Sequence, residues 1–361
     1  MKTFFKTLPC LFLGLHLPAA GAETWFTGAQ SAESSVETVS SGDIRAGLLQ
    51  ADYSGAEGSW IFGLGLGVTG YELDYVPILF GSDASLSEET AQLSLNITRQ
   101  WDKVLSSTLR FRAYDGYSSY RSIWIAEFYR QFFGAFSSYQ EPDPHGSSLG
   151  LSVKWDYLPG TGNAIFSLDY GRDEIAPGWS FDPTLGIPVP GRERLNTPSA
   201  SLNIAQVINP WLKGEGGFLI RQTTDRQARY SFRNGWAAAA GPVAFRIEGG
   251  YTSEAPGFYA YHASALAEWV FLPQWTVHAG YRFYQDNGEI ESSGFNALAP
   301  GLESGELFTG IRWDRGDLSV SANVGLLQTD YEPLSADNEF FGNLYKDRDW
   351  VTFRLAASFR F

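Results

Sequence analysis

Charged side chains recur at alternate positions in segments whose other positions are apolar. Side chains of a strand point alternately to opposite faces, so each charged set shares one face. If that face meets water, unpaired arginines would favour anions or sugar hydroxyls, whereas arginines paired with acids would brace the wall and leave selectivity weak. The residues predicted to share this inward face and to set selectivity are Arg110, Arg112, Lys154, Arg221, Arg233, Arg246, Glu248, Glu268, Arg282, Arg312 and Arg354.

The inward set reads as richer in cations than in anions. Many acids fall instead in long segments between the alternating runs, for example Glu88, Glu89, Glu289 and Glu291. We expect further inward acids at Asp156, Asp169, Glu215, Glu306 and Asp314.

A nucleophile is also conceivable at His262-Ala263-Ser264. His262 and Ser264 share a strand face, so the imidazole could deprotonate the hydroxyl. Glu268, however, lies four residues further along, roughly 13 Å in an extended strand, which is far to orient the histidine. The other histidines show no ligand spacing typical of a transition-metal site. We therefore expect no enzyme activity, no cofactor and no metal.

The elements that position these residues are strands with a two-residue period, such as 91–98, 149–157 and 318–326. Short connections with turn residues alternate with long ones at 75–88, 115–146, 173–195, 286–302 and 331–348. This pattern predicts an all-β, transmembrane, antiparallel up-and-down β-barrel with short periplasmic turns and long outer loops. An even count needs a first strand at 24–35, which gives about 16 strands, with 14 as the alternative.

The final strand, 349–361, has an apolar face that ends on an aromatic residue. It resembles the C-terminal signal of bacterial outer-membrane barrels, which implies recognition by the barrel-assembly machinery. The residues that carry the resemblance are Phe353, Leu355, Phe359 and Phe361.

By architecture the chain is similar to porin-like outer-membrane barrels. Some barrel lipases and lipopolysaccharide deacylases carry His-x-Ser followed by Asn, but Ala265 stands where that motif has Asn. The alternation also turns His262 and Ser264 inward, whereas those enzymes face lipid.

The first residues read as an export signal. Lys2 and Lys6 precede an apolar stretch, and Ala20-Gly21-Ala22 supplies small residues before a cleavage site. We expect residues 1–22 to be the signal peptide and 23–361 the barrel, located in the cell outer membrane. Cys10 is the only cysteine, so the exported chain would hold no disulfide.

The formal net charge is −14 and excludes non-specific nucleic-acid binding. The expected partners are outer-membrane lipid, lipopolysaccharide and a small solute, with the oligomeric state open. No segment after residue 22 approaches 18 continuous apolar residues, which excludes a helical membrane protein.

One segment breaks the two-residue period. In 123–136, Trp124, Phe128 and Phe132 follow each other at helical spacing. The segment is either a strand extension or loop helix on the barrel rim, or a constriction loop folded into the lumen that narrows the pore or offers an apolar entry site.

The function favoured by these patterns is a porin-like channel for passive or facilitated passage of small solutes. The alternatives are a hydrophobic-compound transporter that uses 123–136, and a non-conducting structural or surface-interaction barrel. An open lumen would favour the channel, and a hydrophobic cavity beside Trp124 would favour the transporter.

Overall fold

The computed structural model describes residues 29–75, 84–224, 226–288, 300–333 and 344–361, with only the backbone described at 175–181. The expected signal peptide, 1–22, lies outside the described residues. Among the described residues, no helix is long and apolar enough to cross a membrane.

Sixteen antiparallel strands close into a single up-and-down barrel, in which each strand pairs with its sequence neighbours and β1 pairs with β16. The all-β fold and the count of 16 strands are confirmed. The strands are β1 (Gln30–Ser40), β2 (Ile44–Glu57), β3 (Trp60–Tyr75), β4 (Ala84–Gln100), β5 (Leu105–Asp115), β6 (His145–Leu158), β7 (Gly162–Asp182), β8 (Ile187–Asn209), β9 (Leu212–Gln222), β10 (Ala228–Ala240), β11 (Val243–Glu254), β12 (Phe258–Leu272), β13 (Trp275–Asp286), β14 (Leu302–Arg315), β15 (Leu318–Tyr331) and β16 (Arg348–Arg360). One helix, α1 (Tyr120–Phe133), lies between β5 and β6.

The first strand lies at Gln30–Ser40 rather than at 24–35. Its pattern is weak because the outward positions carry small residues, while polar residues alternate with them on the inward face. Backbone pairing to β16 and β2 on its two sides nevertheless fixes the strand. Val36 lies opposite Leu355 on the outer face, and Glu37 lies opposite Arg354 on the inner face.

The short turns share one end of the barrel with the start of β1 and the end of β16. Gln30 and Phe361 exchange two backbone hydrogen bonds of 3.0 Å there. In the β14–β15 turn, Gly316 has a φ of 59°, a left-handed conformation that favours glycine. The opposite end carries α1 and the longer connections, so it is the outer end of the predicted topology.

The segment 173–195 is not a loop. Here β7 and β8 continue their pairing beyond the neighbouring strands and meet in a turn at 183–186. The Asp182 carboxylate accepts hydrogen bonds from the backbone N–H groups of Thr184 and Leu185, which stabilises the turn. The result is a long hairpin at the outer end.

Large apolar side chains cover the outward face. Leu307 and Leu326 are each 62% exposed, as expected where the neighbour is lipid rather than water. Exposed tryptophans cluster towards the short-turn end, in the manner of an interfacial aromatic belt: Trp60, Trp101, Trp155, Trp211 and Trp269.

Candidate functional site

The lumen face carries every charged residue that the sequence alternation predicted to point inward. Residues that lie directly opposite each other on antiparallel strands share a face. The residues that alternate with the charged ones along each strand form the exposed apolar band. The inward set therefore contains Arg110, Arg112, Lys154, Arg221, Arg233, Arg246, Glu248, Glu268, Arg282, Arg312 and Arg354.

Most of these charges pair with an acid along the wall. Arg110 on β5 reaches Asp169 on β7, at 3.1 Å, across the intervening strand. Gly150 on β6 lies between them, and a Cβ there would come within 2.0 Å of the Asp169 carboxylate. The missing side chain lets the pair lie flat against the sheet, because nothing on β6 lifts it into the lumen.

Further pairs repeat this arrangement around the barrel. Some bridge the strand between them and others join neighbouring strands or alternate residues of one strand. They are Arg246–Glu215 (3.4 Å), Arg312–Glu268 (3.7 Å), Arg282–Glu306 (2.8 Å), Arg229–Glu254 (2.7 Å), Lys154–Asp156 (3.0 Å), Lys213–Glu215 (2.8 Å) and Arg312–Asp314 (3.0 Å).

The expectation that lumen cations outnumber anions is wrong. Four further acids also face inward, namely Glu33, Glu37, Asp52 and Glu88. The pairing of β1 with β16 and β2, and of β3 with β4, shows their orientation. They belong to β1, β2 and β4 and precede 91–98, the first of the clearly alternating segments named above. The signal that could have found them is the Ser-Glu alternation at 31–37, which continues the inward face of β16.

Several lumen arginines lack an acidic partner. Within the described part of the chain, no carboxylate lies within 4.0 Å of the guanidinium of Arg112, Arg221 or Arg354. Arg233 donates a 2.8 Å hydrogen bond to the side-chain oxygen of Asn203 instead. These groups retain N–H donors that can meet a solute.

A cavity of about 310 Å³ lies at mid-height between the walls of β12–β16 and β1. At its edge the Glu306 carboxylate accepts hydrogen bonds from Arg282 (2.8 Å) and from the Thr352 hydroxyl (2.9 Å). Arg282 also lies over the ring of Phe308, 4.4 Å from its centroid. Arg354 and Glu37 line the same space, so both signs of charge are present.

A second cavity, of about 220 Å³, lies nearer the outer end on β9–β13. Arg221 and Arg229 line it together with hydroxyl groups and His262. The His262 ring lies over Gly250, where a Cβ would come within 2.3 Å of the ring. No hydrogen bond joins His262 to Ser264 among the described residues, so the two do not form a nucleophile–base pair.

Helix α1 lies inside the outer mouth of the barrel. Ser119 caps its first turn by accepting a hydrogen bond from the backbone N–H of Ser122. Ile123 and Trp124 are buried among residues that the strand register turns inward, including Leu73 on β3 and Trp350 on β16. Of the two alternatives for 123–136, the packing favours the segment folded into the lumen.

The predicted constriction residues form one aromatic row on α1. The ring centroids of Trp124 and Phe128 are 6.1 Å apart, and those of Phe128 and Phe132 are 4.7 Å apart. Trp124 is buried, while Phe128 and Phe132 are half-buried. The row therefore begins in the packed cluster and extends out of it.

Polar contacts fix α1 to the barrel wall. The Tyr75 hydroxyl donates to the Glu127 carboxylate at 2.8 Å, and Arg121 donates to the Tyr331 hydroxyl at 2.8 Å. Burial raises the pKa of Glu127, but hydrogen bonds from Arg130, Gln131 and Tyr75 outweigh it and lower the pKa overall. Glu127 is thus a buried, ionised anchor of the helix.

The segment after α1 is held by the β7–β8 hairpin. Ser138 donates to Asp182, and Arg192 donates to the backbone carbonyl of Glu141 at 3.0 Å. Helix and hairpin together contact the wall at β15–β16, β1–β4 and β7–β8.

Asp143, His145 and Glu174 meet within 4.8 Å beside this hairpin. Arg194 lies 3.0 Å and Arg192 3.6 Å from the buried Glu174 carboxylate, and Arg192 also pairs with Asp143. The two guanidinium groups balance the acids, so the group is an ion-pair network rather than a vacant cation site.

The predicted insertion residues Phe353, Leu355, Phe359 and Phe361 share the outward face of β16. Phe361 is 46% exposed, and its ring is tilted against that of Phe359 with a centroid distance of 5.3 Å. The face is therefore accessible on a folded barrel, and its recognition by the assembly machinery stays a prediction.

No protein-family profile and no curated protein sequence matches this chain. Among solved structures, a bacterial polysaccharide outer-membrane secretin is 10% identical, covers 92% of this chain and 98% of its own, and has a TM-score of 0.53. CdiB from Acinetobacter baumannii is 10% identical, with coverages of 91% and 60% and a TM-score of 0.54. The Pseudomonas putida toluene transporter TodX is 12% identical, with coverages of 92% and 89% and a TM-score of 0.46.

The likenesses to the secretin and to CdiB show the fold, and the closed barrel with its apolar outward band gives the location. The chain has the architecture of outer-membrane β-barrels, and it lies in the outer membrane, where the apolar outward band meets lipid.

Proposed function

We propose that this protein is a passive outer-membrane channel for small hydrophilic solutes, with an outer mouth narrowed by α1. The observation that carries the proposal is that the lumen charges pair along the wall instead of across the lumen. Arg110 and Asp169, for example, lie flat over Gly150. A closed barrel of 16 strands is wide enough for water when its interior side chains stay near the wall.

A hydrophobic-compound transporter is less well supported. The cavity beside Trp124 measures only about 80 Å³, and Asp43, Lys346 and Arg348 share its lining. An apolar cavity that binds benzene has about 150 Å³ and no charged lining. A monoaromatic solute therefore does not fit beside Trp124 as α1 is packed here.

The experiment that tests the channel is single-channel recording of the refolded barrel, residues 23–361, in a planar bilayer. We expect stable conductance steps and swelling of liposomes in solutions of small sugars. A barrel shown to be folded by its heat-modifiable gel mobility, yet silent in the bilayer, would show that either its mouth or its lumen is closed.

A matched variant separates a closed mouth from a blocked lumen. Replacing 118–142 by a short Gly-Ser linker removes α1 and keeps β5 and β6. If the wild-type barrel is silent and this variant conducts, α1 closes the channel; if both are silent, the channel proposal fails.

The proposed partners are outer-membrane lipid and lipopolysaccharide at the outward face, and the barrel-assembly machinery at β16. No enzyme activity and no cofactor form part of the proposal. Neither His262 nor Ser264 is needed for passage, so a Ser264→Ala barrel should conduct as the wild type does.

A further inference from the structure

Arg221 and Arg229 face each other directly on β9 and β10, on the inner wall of the barrel. Like charges placed directly opposite each other in a sheet destabilise it. Both side chains line the outer cavity of about 220 Å³. The position is therefore costly for folding unless the charges meet an anion there.

The local acids offset only part of this charge. Arg229 is 2.7 Å from Glu254 and lies over the ring of Phe258. Arg221 is exposed to the lumen, and among the described residues it has neither an acidic partner nor a side-chain hydrogen bond. Within the part of the chain that the structure describes, no acid therefore balances the charge of Arg221.

Beside the apolar Leu219, Phe258 and Ala260, the lining holds further groups that bind oxyanions. Ser231 and Thr252 supply hydroxyls, which are 2.9 Å apart, and Tyr284 and His262 supply further donors. Charge-assisted hydrogen bonds from a planar guanidinium suit carboxylate and phosphate oxygens. Since a water occupies about 30 Å³, the cavity has room for a small oxyanion with several waters.

We propose that this cavity is a binding site for small oxyanions, the class of phosphate and simple carboxylates, in the outer part of the lumen. The inference rests on the proposed channel, which gives such solutes access. Arg221 is the main ligand, Arg229 the second, and the hydroxyls of Ser231 and Thr252 complete the shell.

The test is calorimetric titration of inorganic phosphate into the refolded barrel in potassium chloride buffer. We expect saturable binding to the wild type and about tenfold weaker binding to Arg221→Gln, because a charged hydrogen bond is lost. Arg221→Lys should bind with intermediate affinity. Both Arg221 variants should fold, because Arg221→Gln removes a charge that repels Arg229 and Arg221→Lys adds none. The heat-modifiable gel mobility of each variant checks this.

The control is Arg360→Gln, which removes another inward arginine, at the short-turn end of β16. Unchanged phosphate affinity in this variant supports a local site. Equal weakening by both substitutions indicates a diffuse field of the lumen and overturns the site, as does an absence of binding to the wild type. Conductance recorded on the same preparations is a separate readout: a conducting barrel without phosphate binding contradicts only the site.

Discussion

At the scale of single residues, Asp43 links the β1–β2 turn to the residues that begin β16. This contact lies at the outer end of the seam, where β1 pairs with β16. Asp43 lies in the turn between β1 and β2 and accepts from Arg348 at 3.1 Å and from Lys346 at 2.7 Å. Arg348 is buried and also donates to the carbonyls of Leu344 and Lys346. Burial raises the pKa of Asp43, but the bonds from Arg348 and Lys346 prevail and lower it to about 2.

Asp43→Asn should destabilise the outer end of the seam by about 2 kcal/mol, because it leaves the buried Arg348 without its counter-charge. The measurement is thermal unfolding in detergent micelles, followed by gel mobility. The control is Arg45→Gln, which breaks a more exposed pair with Glu72 at 3.7 Å and should change stability by no more than about 0.5 kcal/mol. Equal effects of the two substitutions would refute the role of Asp43.

The same contact predicts an acid dependence. The folded pKa lies below the ordinary value of 3.8, so the contribution of Asp43 is present above that value and is lost as the pH falls towards 2. Protease sensitivity of 344–348 should therefore rise over this acid range in the wild type. In Asp43→Asn the protease sensitivity of 344–348 should be high at every pH. Limited digestion at a series of pH values checks both expectations.

At the scale of elements, α1 is held mainly by Trp124. Its side chain is packed among Leu73, Leu344 and Trp350, and replacing such a residue by alanine costs about 3–5 kcal/mol. Trp124→Ala should loosen α1 and raise the mean conductance with frequent switching between levels. Phe136→Ala, at an exposed position after the helix, should leave single-channel records unchanged. Identical records for both variants would show that α1 does not restrict passage.

We expect strand β16 to act as a recognition signal before folding, a role separate from its contacts in the folded barrel. Phe361 is exposed on the outer face and makes its closing contacts to Gln30 through the backbone. Phe361→Ser should lower the amount assembled in cells severalfold, while protein refolded in vitro should conduct normally. A refolding defect of the same size would assign Phe361 to stability instead of recognition.

At the scale of the whole molecule, charges of opposite sign face each other across the lumen. Glu33, Glu37 and Asp52 lie on β1 and β2, whereas Arg221 and Arg233 lie on β9 and β10, half-way round the barrel. Because neither sign dominates the remaining paired wall, we expect the lumen to have no strong net preference for one ion.

We therefore expect a reversal potential close to zero when a potassium chloride gradient is placed across the bilayer. Glu33→Gln combined with Glu37→Gln should shift the reversal potential towards chloride preference, since it removes acids from one wall. Arg233→Gln combined with Arg221→Gln should shift it the other way. Shifts of the same sign in both double variants would contradict this charge arrangement.

The sequence by itself determined the barrel and the inward set of arginines, and it favoured 16 strands over 14. Side chains alternate with a period of two residues. The sequence of a strand with one lipid-facing and one water-facing side therefore shows which residues lie on each side. Turn residues and the aromatic C-terminus then ordered the strands and oriented the barrel.

Only the tertiary structure decided which charges neutralise each other and where α1 lies. Arg110 and Asp169 are far apart in sequence and meet because Gly150 leaves space on the strand between them. The acids of β1 join the lumen through pairing with β16, at the opposite end of the chain. Helical spacing identified the aromatic row of 123–136, but its position depends on Leu73 and Trp350, which barrel closure brings to the mouth.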